Sequence, residues 1–441
     1  MHEYLVIEGS PVLRGQAELE GAKNAVLVII ASLILTSGKS RLTNVPASSD
    51  VYTMIALLQE LGAQVIFHVE QKILDVDTTT LDGWQVSPEI IKQIRASILV
   101  MGPLLARHGK VQVALPGGDA IGTRPIDLHL KAFARMGATI DRSGDYIAAY
   151  AQFLRPIRCV LDYPSVGATE NILMAAVLTP GVTEIVNAAL EPEVLDLIAA
   201  LGKMGAQITL EVPATIRIEG VAQLMPIEHE IMYDRLEAGT LLLAVAVTGG
   251  ELFLPQAPAA HMELFLEKMR DMGHQITVGA DGRGVTLKAT SQPKAISFKT
   301  MPYPGYPTDL QAPMIAALCS AAGTSVIHET VYESRMLHVQ ELQKMGAQIE
   351  LRAETARIKG VGTMQGTQVI GHDIRAAAAL IVAGLAAQGV TTISGVHHIR
   401  RGYHGLDKKL QALGAKIQFV QSEYDVFLQN PAGKVGQLTS N

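Results

Sequence analysis

Cysteine, tryptophan and charge are all scarce in this 441-residue chain. Its two cysteines, Cys159 and Cys319, lie far apart. They make neither a disulfide framework nor a zinc site, and they fit a reducing compartment. Charged residues make up 18% of the chain and the formal net charge is −6, which speaks against nucleic acid as a partner. A small anionic ligand needs only a local cluster of Lys and Arg and is not excluded. Long apolar runs are missing too. Those at 25–35 and 376–387 fall well short of the ~20 residues of a membrane span, so both read as buried helices. The start, Met1-His2-Glu3-Tyr4, has no basic segment of the secretory kind. A soluble cytoplasmic protein without a membrane partner is expected. P-loop, nucleophile elbow and zinc spacing are absent. The glycines at 117, 118 and 122 do not form a dinucleotide fingerprint. No metal and no cofactor are expected.

What is abundant is apolar surface, 48% of residues, on a chain long enough for two cores. A short phrase recurs six times along it: Leu61-Gly62-Ala63, Met136-Gly137-Ala138, Met204-Gly205-Ala206, Met272-Gly273-His274, Met345-Gly346-Ala347 and Leu413-Gly414-Ala415. Its glycines are spaced by 75, 68, 68, 73 and 68 residues, which marks an internal repeat. An amphipathic helix precedes each glycine, as in Val194, Leu197, Leu201 and Met204. The glycine serves as the helix C-cap, and a strand such as Gln348-Ile349-Glu350-Leu351 follows. Two domains of three α/β units fit the length, with one closed six-unit ring as the alternative. Residues 228–238 read as a crossing between halves. The strand Tyr4 to Glu8 can pair with either half.

Chemistry-bearing residues gather in loops between these units. The chief stretch is Leu115-Pro116-Gly117-Gly118-Asp119-Ala120-Ile121-Gly122-Thr123-Arg124-Pro125-Ile126-Asp127-Leu128-His129. It is either a charged surface turn or a lid that holds and protonates an anion. Lys23 and Asn24 open an apolar helix, a phosphate or carboxylate site unless the lysine merely snorkels. Arg95-Ala96-Ser97 begins a further apolar helix. Ser165-Val166-Gly167-Ala168-Thr169 precedes one at Ile172 to Leu178. Asp309 ends a proline-stiffened turn as an N-cap or a functional carboxylate. Arg400-Arg401-Gly402-Tyr403 offers either a guanidinium fork or a solvated turn.

Taken together, Gly-Ala-Lys-Asn-Ala, Arg-Ala-Ser-Ile, the long Arg-Pro-Ile-Asp-Leu-His loop, Ser-Val-Gly-Ala-Thr, Pro-Thr-Asp and Arg-Gly-Tyr closely resemble the UDP-N-acetylglucosamine 1-carboxyvinyltransferase family. The likeness runs over essentially the whole chain in the family's order. It implies an α/β fold of two inverse α/β barrel domains with three repeated units each. Residues 23–232 would form one domain, and 1–22 plus 233–441 the other, with the active site in the cleft between them. It also implies addition of phosphoenolpyruvate to the sugar 3-hydroxyl and loss of phosphate through a tetrahedral ketal, the first committed step of peptidoglycan synthesis.

By the same resemblance Asp119 is the loop acid and Asp309 the base near the hydroxyl. Lys23, Asn24, Arg124 and Arg401 meet phosphoenolpyruvate. Asn24, Arg95, Arg124, Pro125, Ile126, Asp127, Leu128, Tyr163, Pro164, Ser165, Val166, Asp309 and Val331 hold the UDP-sugar. Arg335 and Asp373 support the closed cleft. The chain departs from the family at Asp119, where cysteine is usual and a minority carry aspartate. With no loop thiolate to alkylate, insensitivity to fosfomycin is expected. It departs again at Ser49 and Tyr163, where lysine is common, and at Arg400, where an acidic residue is usual. Two alternatives therefore stay open: a related enolpyruvyl transferase with another nucleotide-linked substrate, and an inactive UDP-sugar-binding regulator.

Overall fold

A computed structural model describes residues 2–91, 94–114, 126–142, 144 and 146–422. All six repeated glycines are left-handed, with φ between 93° and 105°. At each, the glycine N–H bonds to the carbonyl three residues back (Gly205 to Gly202, 3.0 Å). The next N–H bonds to the carbonyl five back (Ala206 to Leu201, 3.0 Å). This Schellman closure ends the helix and turns the chain into a strand at a φ that only glycine adopts without strain.

The described residues divide into two compact units, 2–19 with 233–422 and 20–114 with 126–232. Glu20 belongs to the second of these, where its carboxylate pairs with Lys72 at 3.0 Å. The Ala22 N–H also bonds to the Met232 carbonyl there at 2.7 Å.

Each unit contains three sheets. In the 20–232 unit the first runs Glu228–Glu230, Lys39–Thr43, Ile73–Asp77, Gln64–His68. Its outermost strand comes from the far end of the unit and so closes the set. The second is Lys110–Ala114, Tyr146–Tyr150, Thr139–Asp141, and the third Gln207–Glu211, Thr215–Glu219, Val182–Val186, Arg158–Val160. The other unit closes in the same way with the start of the chain. Arg14–Gln16 pairs with Glu251–Leu254. His2–Glu8 lies between Val390–Ser394 and Ile417–Ser422, with Leu5 opposite Ile393 and Phe419. The strand left open by sequence thus completes the sixth repeat.

Burial shows which side faces in. Strands such as Thr324–His328 alternate exposed and buried residues, so their sheets have one wet face. The helices Arg235–Ala246 and Gln311–Leu318 are buried at every residue. Ile374–Ala386 is buried along nearly its whole length. A helix apolar all round is an interior helix. Three such helices pack on one another at the centre of this unit, and the sheets form its outside. That is the inverse α/β arrangement, built from separate sheets. In the 20–232 unit, Lys23–Ser32 and Val166–Ala176 are interior helices of the same kind.

Two helix starts differ from the sequence reading. The helix expected at Arg95 is a 3-10 turn over Arg95–Val100, and the α-helix begins at Met101. Pro103 lacks an N–H and is tolerated only in a first helical turn, which places that turn at 101–103. The helix expected from Ile172 begins at Val166, because the Ser165 hydroxyl caps it by accepting from the Ala168 N–H at 3.4 Å.

Candidate active site

Asp309 sits at the entry to an interior helix, in the 3-10 turn Thr308–Leu310 that leads into Gln311–Leu318. The turn before it is held by Tyr306, which is fully buried and lies 3.9 Å, ring to ring, from Phe298. Leu310 packs on Gly239 of a neighbouring central helix, and a Cβ there would come within 2.5 Å of it. The position of Asp309 is thus set by core packing.

Its carboxylate is held from two sides. Arg335 Nη2 lies 2.6 Å from Oδ1, and Arg375 Nη2 donates to Oδ2 at 2.8 Å. Burial works against charge here. Burial is the largest single influence, but the Arg375 and Arg335 guanidiniums together outweigh it and hold the carboxyl far below the usual carboxylate range. Thr308 Oγ1 accepts from Arg335 Nη1 at 2.9 Å and donates to Glu329 at 2.9 Å. Glu329 is buried and also accepts from the N–H groups of Val331 and Tyr332. Asp373 caps the Ile374–Ala386 helix, accepting from Arg375 N at 2.7 Å and Ala376 N at 2.9 Å. The turn thereby presents Asp309, Arg335 and Arg375 as one connected group. Sequence reasoning named Asp309, Val331, Arg335 and Asp373. It gave Glu329, Arg375 and Tyr403 no catalytic or binding role, since no local pattern shows that they converge.

Arg401 lies in the helix His397–Gly402 beside Arg400. The Arg400 guanidinium pairs with Glu3 at 2.5 Å and lies over the Phe419 ring. The unusual arginine at 400 thus fastens the N-terminal strand of the sixth sheet.

In the other unit, Lys23 opens its helix as the sequence suggested. Its ammonium pairs with Asp50 at 2.8 Å, and the Asp50 carboxylate is only 3% exposed. Asp50 stands in the first turn of Ser49–Glu60, where a carboxylate suits the positive helix end. Sequence reasoning missed it. Asn24 is exposed beside Lys23. Tyr163 is exposed too, and its carbonyl accepts from the Ser165 N–H at 2.7 Å. Pro164 lies between them and Val166 begins the capped helix. Ile126 is the N-cap of the helix Asp127–Arg135, and Asp127 and Leu128 are its first two residues.

His129, on that helix, is buried. Asn171 Nδ2 donates to its Nδ1 at 2.9 Å and to the Ile98 carbonyl at 3.0 Å, while Asn171 Oδ1 accepts from Gly102 N at 2.8 Å. With Nδ1 an acceptor, the ring proton belongs on Nε2. This amide ties its own helix to the helix Asp127–Arg135 and to the turn and helix start at Ile98 and Gly102. The loop residues Asp119, Arg124 and Pro125 lie outside the described residues, as does the Arg95 side chain.

The comparisons agree with this architecture. The model of the family EPSP synthase (3-phosphoshikimate 1-carboxyvinyltransferase) matches residues 7–426. The chain is 45% identical over 418 residues to UDP-N-acetylglucosamine 1-carboxyvinyltransferase 2 of Carboxydothermus hydrogenoformans, covering 95% of this chain and 99% of the relative. It is 44% identical to UDP-N-acetylglucosamine 1-carboxyvinyltransferase of Geobacter metallireducens at the same coverage. Among solved structures it is similar to the enolpyruvyl transferase NikO from Streptomyces tendae, at TM-score 0.87 and 25% identity, over 96% of this chain and 99% of that one. An EPSP synthase from Acinetobacter baumannii shares the fold at TM-score 0.76 and 18% identity, over 96% and 100% of the two chains. With the repeat, the interior helices and likeness along its whole length, the chain belongs to the EPSP synthase family, and within it to the UDP-N-acetylglucosamine 1-carboxyvinyltransferases.

Proposed function

We propose that this protein transfers the enolpyruvyl group of phosphoenolpyruvate to the 3-hydroxyl of UDP-N-acetylglucosamine, with Asp119 as the loop acid. The hydroxyl oxygen bonds to C2 of phosphoenolpyruvate. Its proton passes to Asp309, and C3 takes a proton from Asp119, giving a tetrahedral ketal. Loss of a C3 proton and of phosphate then yields the enol ether. Lys23, Asn24, Arg124 and Arg401 meet the phosphate and carboxylate. Asn24, Arg95, the 124–128 backbone, Tyr163 to Val166 and Val331 hold the nucleotide sugar. Asp119 donates a proton only if its carboxyl is raised from the usual range, as exclusion of water around a carboxyl does.

The observation that carries the reading is the double clamp on Asp309. A carboxylate between two guanidiniums is ionised but a poor base. An anionic substrate that draws on either guanidinium returns basicity to it, so proton removal is tied to substrate binding. The test is product analysis. Mass spectrometry of a reaction with both substrates should show UDP-N-acetylglucosamine enolpyruvate, and Asp119→Ala should nearly abolish it. Binding of the UDP-sugar without turnover points instead to a regulator, and turnover only with another acceptor to a related transferase.

A further inference from the structure

Thr240 lies on the central helix Arg235–Ala246 and is 1% exposed. Its hydroxyl donates to the Leu236 carbonyl at 2.9 Å. A hydroxyl has one hydrogen to give. The 2.9 Å contact between Thr240 Oγ1 and Tyr403 Oη is therefore made with the tyrosine hydrogen. That leaves Tyr403 Oη with lone pairs alone for its other neighbour, Arg375 Nη1, which donates to it at 2.8 Å. The second terminal nitrogen of the same guanidinium donates to Asp309 Oδ2. Every hydrogen in the chain from Arg375 through Tyr403 and Thr240 to Leu236 thus has one direction. The planar guanidinium is fixed at two corners, by a phenol and by a carboxylate.

Tyr403 and Arg375 are both buried, and burial pushes the Tyr403 phenol up, so it remains a hydroxyl. The other charges facing this group are Asp234, the cap of the Arg235 helix, and Arg335, itself faced by Asp373 and His338. None of them substitutes for the phenol at Arg375 Nη1 among the described residues.

We propose that Tyr403, oriented by Thr240, is a positioning residue for the transfer reaction: it holds Arg375 in the pose that directs Asp309. The proposal rests on the reading of Asp309 as the base. Without the phenol, Arg375 Nη1 keeps a buried hydrogen with no acceptor, and the side chain moves to find one. The grip on Asp309 then loosens, and its carboxyl returns toward the ordinary range.

The experiment compares pH profiles of Tyr403→Phe, Thr240→Val and Thr240→Ser with the unaltered enzyme. Tyr403→Phe should lower kcat about tenfold, leave both KM values within about twofold, and move the acidic limb of kcat up by about one pH unit. Thr240→Val should follow it in part, and Thr240→Ser should restore the profile. A purely structural role lowers the melting temperature and leaves the acidic limb in place. An unmoved limb in Tyr403→Phe beside an inactive Asp309→Asn overturns this proposal alone. Full turnover by Asp309→Asn overturns the reading on which it stands.

Discussion

Arg335 and Arg375 take opposite oxygens of Asp309, Oδ1 at 2.6 Å and Oδ2 at 2.8 Å, although they come from segments 40 residues apart. The two arginines are nearly buried and the carboxylate is 20% exposed. Removing the carboxylate leaves two cations without their counter-charge. Asp309→Asn should therefore cost about 3 kcal/mol of stability at neutral pH and lower turnover at least a hundredfold. The folded-state carboxyl lies below its unfolded value. Its contribution is thus complete above the ordinary carboxylate range and is lost as pH falls toward the folded value. Denaturant melts of the two proteins should converge under strongly acidic conditions and differ most at neutral pH.

His338 predicts a second pH effect. The side chain is buried, neither ring nitrogen has a hydrogen-bond partner among the described residues, and burial holds it down at about 4. His274 is buried and held down to about 4 in the same way. For both, the unfolded chain takes up a proton near pH 6.5 and the folded protein does not. The contribution of these two histidines to stability therefore falls as pH drops from about 6.5 to about 4. His338→Leu should remove roughly half of that slope, read as melting temperature against pH. An unchanged slope would show that His338 is protonated in the fold.

Lys23 and Asp50 form the corresponding pair in the other unit. Lys23→Ala removes the ammonium paired with a carboxylate that is 3% exposed, at a cost of about 3 kcal/mol. It should also abolish saturation by phosphoenolpyruvate. The double variant Lys23→Ala with Asp50→Ala should recover stability but not activity. Recovery of both would show the lysine to be structural.

Fosfomycin should leave the enzyme untouched. Of its two thiols, Cys319 is buried and pushed up to about 12, and burial likewise raises Cys159. Neither is a thiolate at neutral pH. Intact-mass spectrometry should find no adduct, whereas Asp119→Cys should gain one at the loop.

The repeat was readable because a Schellman glycine needs φ > 0 wherever it occurs, so Gly62 through Gly414 mark six helix ends in plain sequence. Lys23 and Asp309 were readable because short motifs surround them. Arg375, Tyr403 and Asp50 were not. Each acts through a partner distant in sequence, and only packing of the interior helices brings them together. Likewise no pattern near Glu3 announces its pairing with Arg400.

Phosphate release tests the central claim most directly. Purified protein given phosphoenolpyruvate and UDP-N-acetylglucosamine together should release phosphate in step with loss of both, and with either alone it should release none. No release with the pair, from protein shown by calorimetry to bind the UDP-sugar, would contradict the account.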